Sequence, residues 1–114
     1  MNVYCKVYLD SSLPKHALLA CLSEWVTGQV SIRTITADPF EVDVVANEDF
    51  DESRTQRAED GFLFYRYYLD IEPRLGVSEE EYIEAIRKLL SKVRAEGMRA
   101  VASCDFEDRL PFPE

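Results

Sequence analysis

Polar and apolar positions alternate cleanly near the start of the chain. In Val3-Tyr4-Cys5-Lys6-Val7-Tyr8-Leu9, Val3, Cys5, Val7 and Leu9 share one face, and Tyr4, Lys6 and Tyr8 share the other. That period marks a strand with one buried side. The period then changes. Leu18, Leu19, Leu22, Trp25 and Val26 recur at helical spacing. An amphipathic helix is therefore expected up to Thr27, with Ser11-Ser12 offering an N-cap, Pro14 in the first turn and Gly28 as its stop.

Residues 30–37 (Val-Ser-Ile-Arg-Thr-Ile-Thr-Ala) are rich in β-branched side chains and read as a second strand. Asp38-Pro39 interrupts it. Extended character resumes in Phe40-Glu41-Val42-Asp43-Val44-Val45. Proline donates nothing to a strand ladder, so a bend, a bulge or a short edge hairpin is expected there. Residues 47–60 are polar and read as a long loop. Residues 62–71 (Phe-Leu-Phe-Tyr-Arg-Tyr-Tyr-Leu-Asp-Ile) give the strongest strand signal. One face would hold Leu63, Tyr65, Tyr67, Leu69 and Ile71; the other would hold Phe62, Phe64, Arg66, Tyr68 and Asp70.

Ser78 with Glu81 three residues on is a capping box, reinforced by Glu79 and Glu80 at the positive helix end. Ile83, Ile86, Leu90 and Val93 step by three and four along one face, flanked by Tyr82 and Leu89. Gly97 ends that helix. Residues 98–106 read as a last strand of small side chains, and the tail to Glu114 is irregular.

The order β-α-β-β-α-β predicts one α+β domain over residues 1–114. It is the split βαβ, or ferredoxin-like, arrangement: an antiparallel sheet with two helices on one face and the first and third strands at its centre. The other face is left open to solvent or to a partner.

Composition narrows the chemistry. Of 114 residues, 46% are hydrophobic and 31% charged, which suits a folded chain rather than a disordered one. No apolar run approaches the roughly 18 residues of a membrane span. Met1 to Lys6 shows no basic region followed by an apolar stretch, so a cytoplasmic protein is expected. The formal charge is −9. Most of it sits in residues 38–60, where nine acids face only Arg54 and Arg57. Such a surface repels nucleic-acid backbones and anionic membranes and attracts basic partners.

Catalytic and metal motifs are sparse. The single histidine, His16, sits early in the first helix, where it reads as an exposed helix residue. There is no glycine-rich phosphate loop. Cys5, Cys21 and Cys104 lie far apart without a paired spacing; they read as reduced thiols and small buried hydrophobes, not zinc ligands. The clusters Asp49-Phe50-Asp51-Glu52 and Asp105-Phe106-Glu107-Asp108 lack the spacing of a calcium loop and read as solvated acidic loops. No cofactor, metal or catalytic residue is assigned.

The open sheet face is the more pointed feature. Tyr4, Tyr8, Phe62, Phe64 and Tyr68 would project there together, with Lys6 and Arg66 among them. Apolar surface of that kind marks an interaction site. Three occupants are considered: a partner protein or a second copy of the chain, a small apolar or aromatic ligand, or nucleic-acid bases.

The strand Gly61-Phe62-Leu63-Phe64-Tyr65-Arg66-Tyr67 resembles the aromatic signature on the third strand of the RNA-recognition motif, and Val3-Tyr4-Cys5-Lys6-Val7-Tyr8 loosely resembles its first-strand signature. That resemblance implies base stacking by Tyr4, Phe62 and Phe64. It covers two strands only, Asp60 stands where the family places a basic residue, Leu63 replaces a small one, and the net charge opposes nucleic acid.

The chain also resembles, in size, layout and short strings, the small acidic α/β proteins of bacterial toxin–immunity systems. It is similar in the same way to small bacterial proteins with a Phe-Tyr-Arg-Tyr-Tyr-like strand and a Cys-Asp-Phe-Glu-Asp segment before Leu-Pro, here Cys104 to Asp108 and Leu110-Pro111. The resemblance implies a stoichiometric inhibitor whose carboxylates fill a basic cleft. The preferred expectation is therefore a non-enzymatic protein-interaction domain of this immunity type. Asp49, Asp51, Glu52, Glu59 and Asp60 would attract the partner, and Phe50, Tyr4, Tyr8, Phe62, Phe64, Arg66 and Tyr68 would complete the contact surface. The competing expectation is an enzyme or small-ligand domain assembled as a homodimer through the sheet face.

Overall fold

The computed structural model describes residues 3–57 and 59–111. The architecture is mixed α+β, a six-stranded antiparallel sheet with two helices. The elements are β1 (Cys5–Asp10), α1 (Lys15–Trp25), β2 (Gln29–Ser31), β3 (Thr34–Thr36), β4 (Phe40–Ala46), β5 (Tyr67–Pro73), α2 (Glu79–Ala95) and β6 (Arg99–Ser103). Short 3-10 turns occupy Glu52–Arg54, Gly61–Phe64 and Glu107–Arg109. The sheet order is β2-β3-β4-β5-β1-β6. β1 and β5 are interior neighbours, with Val7 opposite Leu69 and Tyr8 opposite Tyr68.

Alternation decides which sheet face is buried. Cys5, Val7 and Leu9 of β1, Phe40, Val42 and Val44 of β4, and Tyr67, Leu69 and Ile71 of β5 point to one side. They join Leu18, Leu19 and Leu22 of α1 and Tyr82, Ile83, Ile86, Leu89, Leu90 and Val93 of α2 in one apolar cluster. The stripe expected on α2 is thus the one that is buried; on α1 the three leucines are buried, while Trp25 and Val26 at its end are only partly so. Tyr82 is wholly inside, and its hydroxyl donates to the Ile71 carbonyl at 2.9 Å. Tyr82 also meets Phe106 edge-on at 6.0 Å.

The ends of α2 follow local chemistry, and those of α1 depart from it twice. The Ser78 hydroxyl accepts the Glu81 amide at 3.2 Å, as a cap should. Gly97 takes φ +89 beyond α2, and the Met98 amide bonds back to the Val93 carbonyl. At the end of α1 the left-handed position falls on Thr27, φ 55, and not on Gly28. Gly28 is needed for another reason: a Cβ there would lie 2.7 Å from Ile35 Cγ2 and 3.0 Å from the Thr36 carbonyl oxygen. Pro14 is itself the cap residue of α1, and Ser11 instead accepts the Leu13 amide.

Three expectations about strands are corrected. Residues 30–37 are not one strand: β2 and β3 form a tight hairpin that turns at Ile32-Arg33, with Ser31 paired to Thr34. Ile32 has φ 58 and is 93% exposed. The last strand is also shorter than 98–106. The larger correction concerns 62–71, where pairing starts only at Tyr67. The ladders of β5 with β4 and with β1 end at Ala46 and Leu9, both opposite Tyr67, although β1 itself runs on to Asp10, which pairs with β6. Among the described residues, Phe62–Arg66 belong to no strand ladder. Asn47 holds this stretch instead, its side-chain amide donating to the Leu63 and Tyr65 carbonyls at 3.0 and 2.8 Å. Strong strand propensity has yielded to the absence of a partner.

Candidate functional site: the sheet face opposite the helices

Lys6 and Tyr8 of β1, Tyr4 just before it, and Tyr68 and Asp70 of β5 alternate with the core residues and so share the face away from the helices. The Tyr8 ring lies 6.2 Å from Tyr68 and meets Phe62 edge-on at 5.3 Å. The Lys6 ammonium sits over the Tyr68 ring at 4.1 Å and over Tyr8 at 5.0 Å, a favourable placement of a cation on two π faces. The Tyr4 hydroxyl donates to the Asp70 carboxylate. Partial burial and that neighbouring carboxylate both hold the Tyr4 phenol well above its usual range.

Residues 47–57 and 59–66 fold over one end of this face as a flap. Phe62 and Phe64 reach it from a 3-10 turn rather than from the expected strand, and Leu63, expected to be buried, is 40% exposed. The Arg54 and Arg57 guanidinium groups lie over the Phe64 ring at 5.2 and 5.9 Å. Arg66 departs from its expected place among the aromatics. It donates to the Ser12 carbonyl at 3.3 Å and sits over Tyr67.

Between flap and sheet lies a groove of about 610 Å³, lined by Lys6, Tyr8, Val45, Asn47, Glu48, Asp49, Leu63, Phe64 and Tyr68. Tyr8, Phe64 and Tyr68 are the aromatic part of its lining, and the exposed Glu48 and Asp49 the acidic part. Phe50, 43% exposed, follows Asp49 directly. The other loop acids are placed differently. Asp51 caps the turn at Glu52–Arg54, accepting from the Ser53 hydroxyl and amide and pairing with Arg54 at 3.3 Å. The Ser53 hydrogen bond is the main reason its carboxyl is held below the usual range. Asp60 pairs with Arg57 at 3.1 Å. Glu52 and Glu59 are exposed. The loop arginines therefore offset part of the negative field that the sequence placed here.

Arg99, which sequence reasoning did not single out, pins the flap to the sheet. Its guanidinium pairs with Asp10, donates to the Thr55 carbonyl at 3.2 Å and lies 4.8 Å from the Tyr65 ring. No local pattern marks it: the pairing comes from the register of β1 with β6, which sets Asp10 opposite Arg99. A second groove of about 640 Å³ runs between the end of α1 and α2, with Trp25, Phe40, Val77 and Leu89 in its lining and Glu81, Glu84, Lys88 and Lys92 around them. Among the described residues, no three His, Cys, Asp or Glu side chains are grouped so as to hold a metal ion. Among them also, no helix is long and apolar enough to cross a membrane.

Comparison of the chain with protein-family models, with curated proteins and with solved structures finds no match.

Proposed function

We propose that the chain is a non-enzymatic protein-interaction domain, of the immunity type, that neutralises a basic protein through the sheet face and its flap. The observation that supports this reading is the groove whose lining brings Tyr8, Tyr68 and Phe64 together with Glu48 and Asp49. Aromatic side chains supply contact area at low entropic cost and dominate binding energy. Acids on the rim steer a cationic partner and exclude anionic ones. Phe50 and Leu63 extend the apolar patch outward beside those acids.

The fold reading that accompanies it is a ferredoxin-like sheet with an added hairpin. β6, β1, β5 and β4 follow the order of the last, first, third and second strands of that arrangement, and β2-β3 extends the edge beyond β4. The open face is the one such a fold leaves without helices.

The test is titration against proteins of strongly basic surface, beginning with the product of any adjoining toxin gene. A one-to-one complex is expected. The double reversal Glu48→Lys with Asp49→Lys should slow association at least about tenfold at low salt and flatten its salt dependence. Association unchanged by both reversals would overturn the reading. A groove of this volume also falls in the range of small-ligand sites, which favours the second reading, a homodimer that closes the groove over a ligand. Light scattering separates the two: a monomer supports partner binding, and a stable dimer that protects Tyr68 supports the enclosed site.

A further inference from the structure

Cys5 and Cys104 are 99 positions apart in sequence, yet their sulfurs lie 3.3 Å apart. The register explains the meeting. Lys6 faces Ser103 and Val7 faces Ala102 in the β1–β6 pair, so one further step sets Cys5 opposite Cys104. Both thiols are free. We propose that they form a reversible intrachain disulfide site, oxidised by peroxide or by a low-molecular-weight disulfide, that ties the start of β1 to the end of β6.

Three observations support it. Cross-strand neighbours have Cβ atoms close to the separation a disulfide requires, so closure asks the sulfurs to approach by about 1.2 Å with little backbone movement. The two thiols are unequal: Cys5 is fully buried and Cys104 partly exposed, so an oxidant meets Cys104 first. The Cys5 S–H donates to the Cys104 sulfur, which favours charge on Cys104 over Cys5. Burial raises both thiols above their usual range, and the Glu107 carboxylate, which accepts the Cys104 amide at 3.3 Å, raises Cys104 further. The pair is therefore slow to react compared with a peroxidase cysteine, as suits a lock and not a catalyst.

With hydrogen peroxide the chemistry balances as follows. The Cys104 thiolate attacks one peroxide oxygen, the O–O bond breaks, and hydroxide leaves to collect a proton as water. Cys104 is then a sulfenic acid. The Cys5 sulfur attacks the Cys104 sulfur, the S–O bond breaks, and the hydroxyl departs with the Cys5 proton as a second water. Two thiols are oxidised and one peroxide reduced. Small thiols reverse the bond by exchange. Because the cross-link spans nearly the described chain, it removes much freedom from the unfolded state.

The experiment uses the full chain carrying Cys21→Ser, treated with hydrogen peroxide or oxidised glutathione. The expected result is a mass loss of about 2 Da, a peptide linking residues 5 and 104, and an unfolding midpoint raised by at least about 5 °C, all reversed by dithiothreitol. Adding Cys104→Ser, a partly exposed position whose loss leaves Cys5 in the core, should abolish all three. Glu107→Gln should speed closure a few-fold. Over-oxidation of Cys104 with Cys5 still free, or a cross-link only between chains, would overturn the proposal.

Discussion

The Lys6 ammonium rests 4.1 Å from the centre of the Tyr68 ring, on a sheet face that the helices leave open. A lysine held on two tyrosines keeps the rings apart from bulk water while presenting a charge beside Glu48 and Asp49. Tyr68→Ala is expected to weaken partner binding by about 2 kcal/mol or more, chiefly through faster dissociation. It should leave stability nearly unchanged, within about 1 kcal/mol, because the ring is not part of the core. Surface plasmon resonance beside thermal unfolding checks both halves. An equal loss in the two measurements would make Tyr68 a folding residue instead.

Arg99 joins three partners that belong to different segments: Asp10, the Thr55 carbonyl and the Tyr65 ring. Arg99→Ala is expected to loosen residues 47–66 before the sheet itself. Limited trypsin digestion should cut at Arg54 and Arg57 several times faster than in the parent chain. Hydrogen exchange in β1 and β5 should change little. Exchange that rises across the whole sheet would show that Arg99 supports the core and not the flap.

Thr27, and not Gly28, takes the left-handed position that the sequence suggests for the glycine. Thr27 carries the left-handed backbone at the end of α1, and Gly28 makes room for Ile35. Thr27→Gly should stabilise the fold by about 0.5–1 kcal/mol, since relief of the positive φ outweighs the added freedom of the unfolded chain. Ile32→Gly should act in the same direction at the hairpin tip. Gly28→Ala should destabilise by about 1–3 kcal/mol, because the new methyl meets Ile35 and the Thr36 backbone. Urea unfolding of the three variants reads the signs directly.

The Tyr82 hydroxyl donates to the Ile71 carbonyl in the core, and burial first of all raises its pKa far above 10. A group raised on folding contributes stability in full below its unfolded pKa and loses it as pH rises. For this phenol the loss begins near pH 10, at about 1.4 kcal/mol per pH unit, because only the unfolded chain releases the proton. Tyr82→Phe should cost about 1 kcal/mol at neutral pH and flatten the alkaline limb. Denaturation midpoints between pH 8 and 11 provide the check; an unchanged alkaline slope would remove Tyr82 as its source.

Local periodicity was enough for the two helices, the first strand and the buried residues on each, since Ile83, Ile86, Leu90 and Val93 must share a face once a helix forms. It was enough too for the outward set Tyr4, Lys6, Tyr8 and Tyr68, because alternation in a strand is fixed by geometry. It failed at Phe62 and Phe64. Their alternation and aromatic content match a strand, but a strand exists only where a neighbour supplies hydrogen bonds, and the ladders of β5 with both its neighbours end at Tyr67. The hairpin at Ile32 was hidden because its turn carries a residue that turns disfavour.

Long-range pairing lay beyond any sequence pattern. Cys5 with Cys104, Asp10 with Arg99 and Asn47 with Leu63 and Tyr65 are set by the register of distant strands and by the path of one loop. The sequence alone determined which side of each element faces inward, because that depends on near neighbours along the chain. Only the tertiary structure decided which charges cancel, which thiols meet and where the aromatic strand stops, because those depend on which segments become neighbours in space.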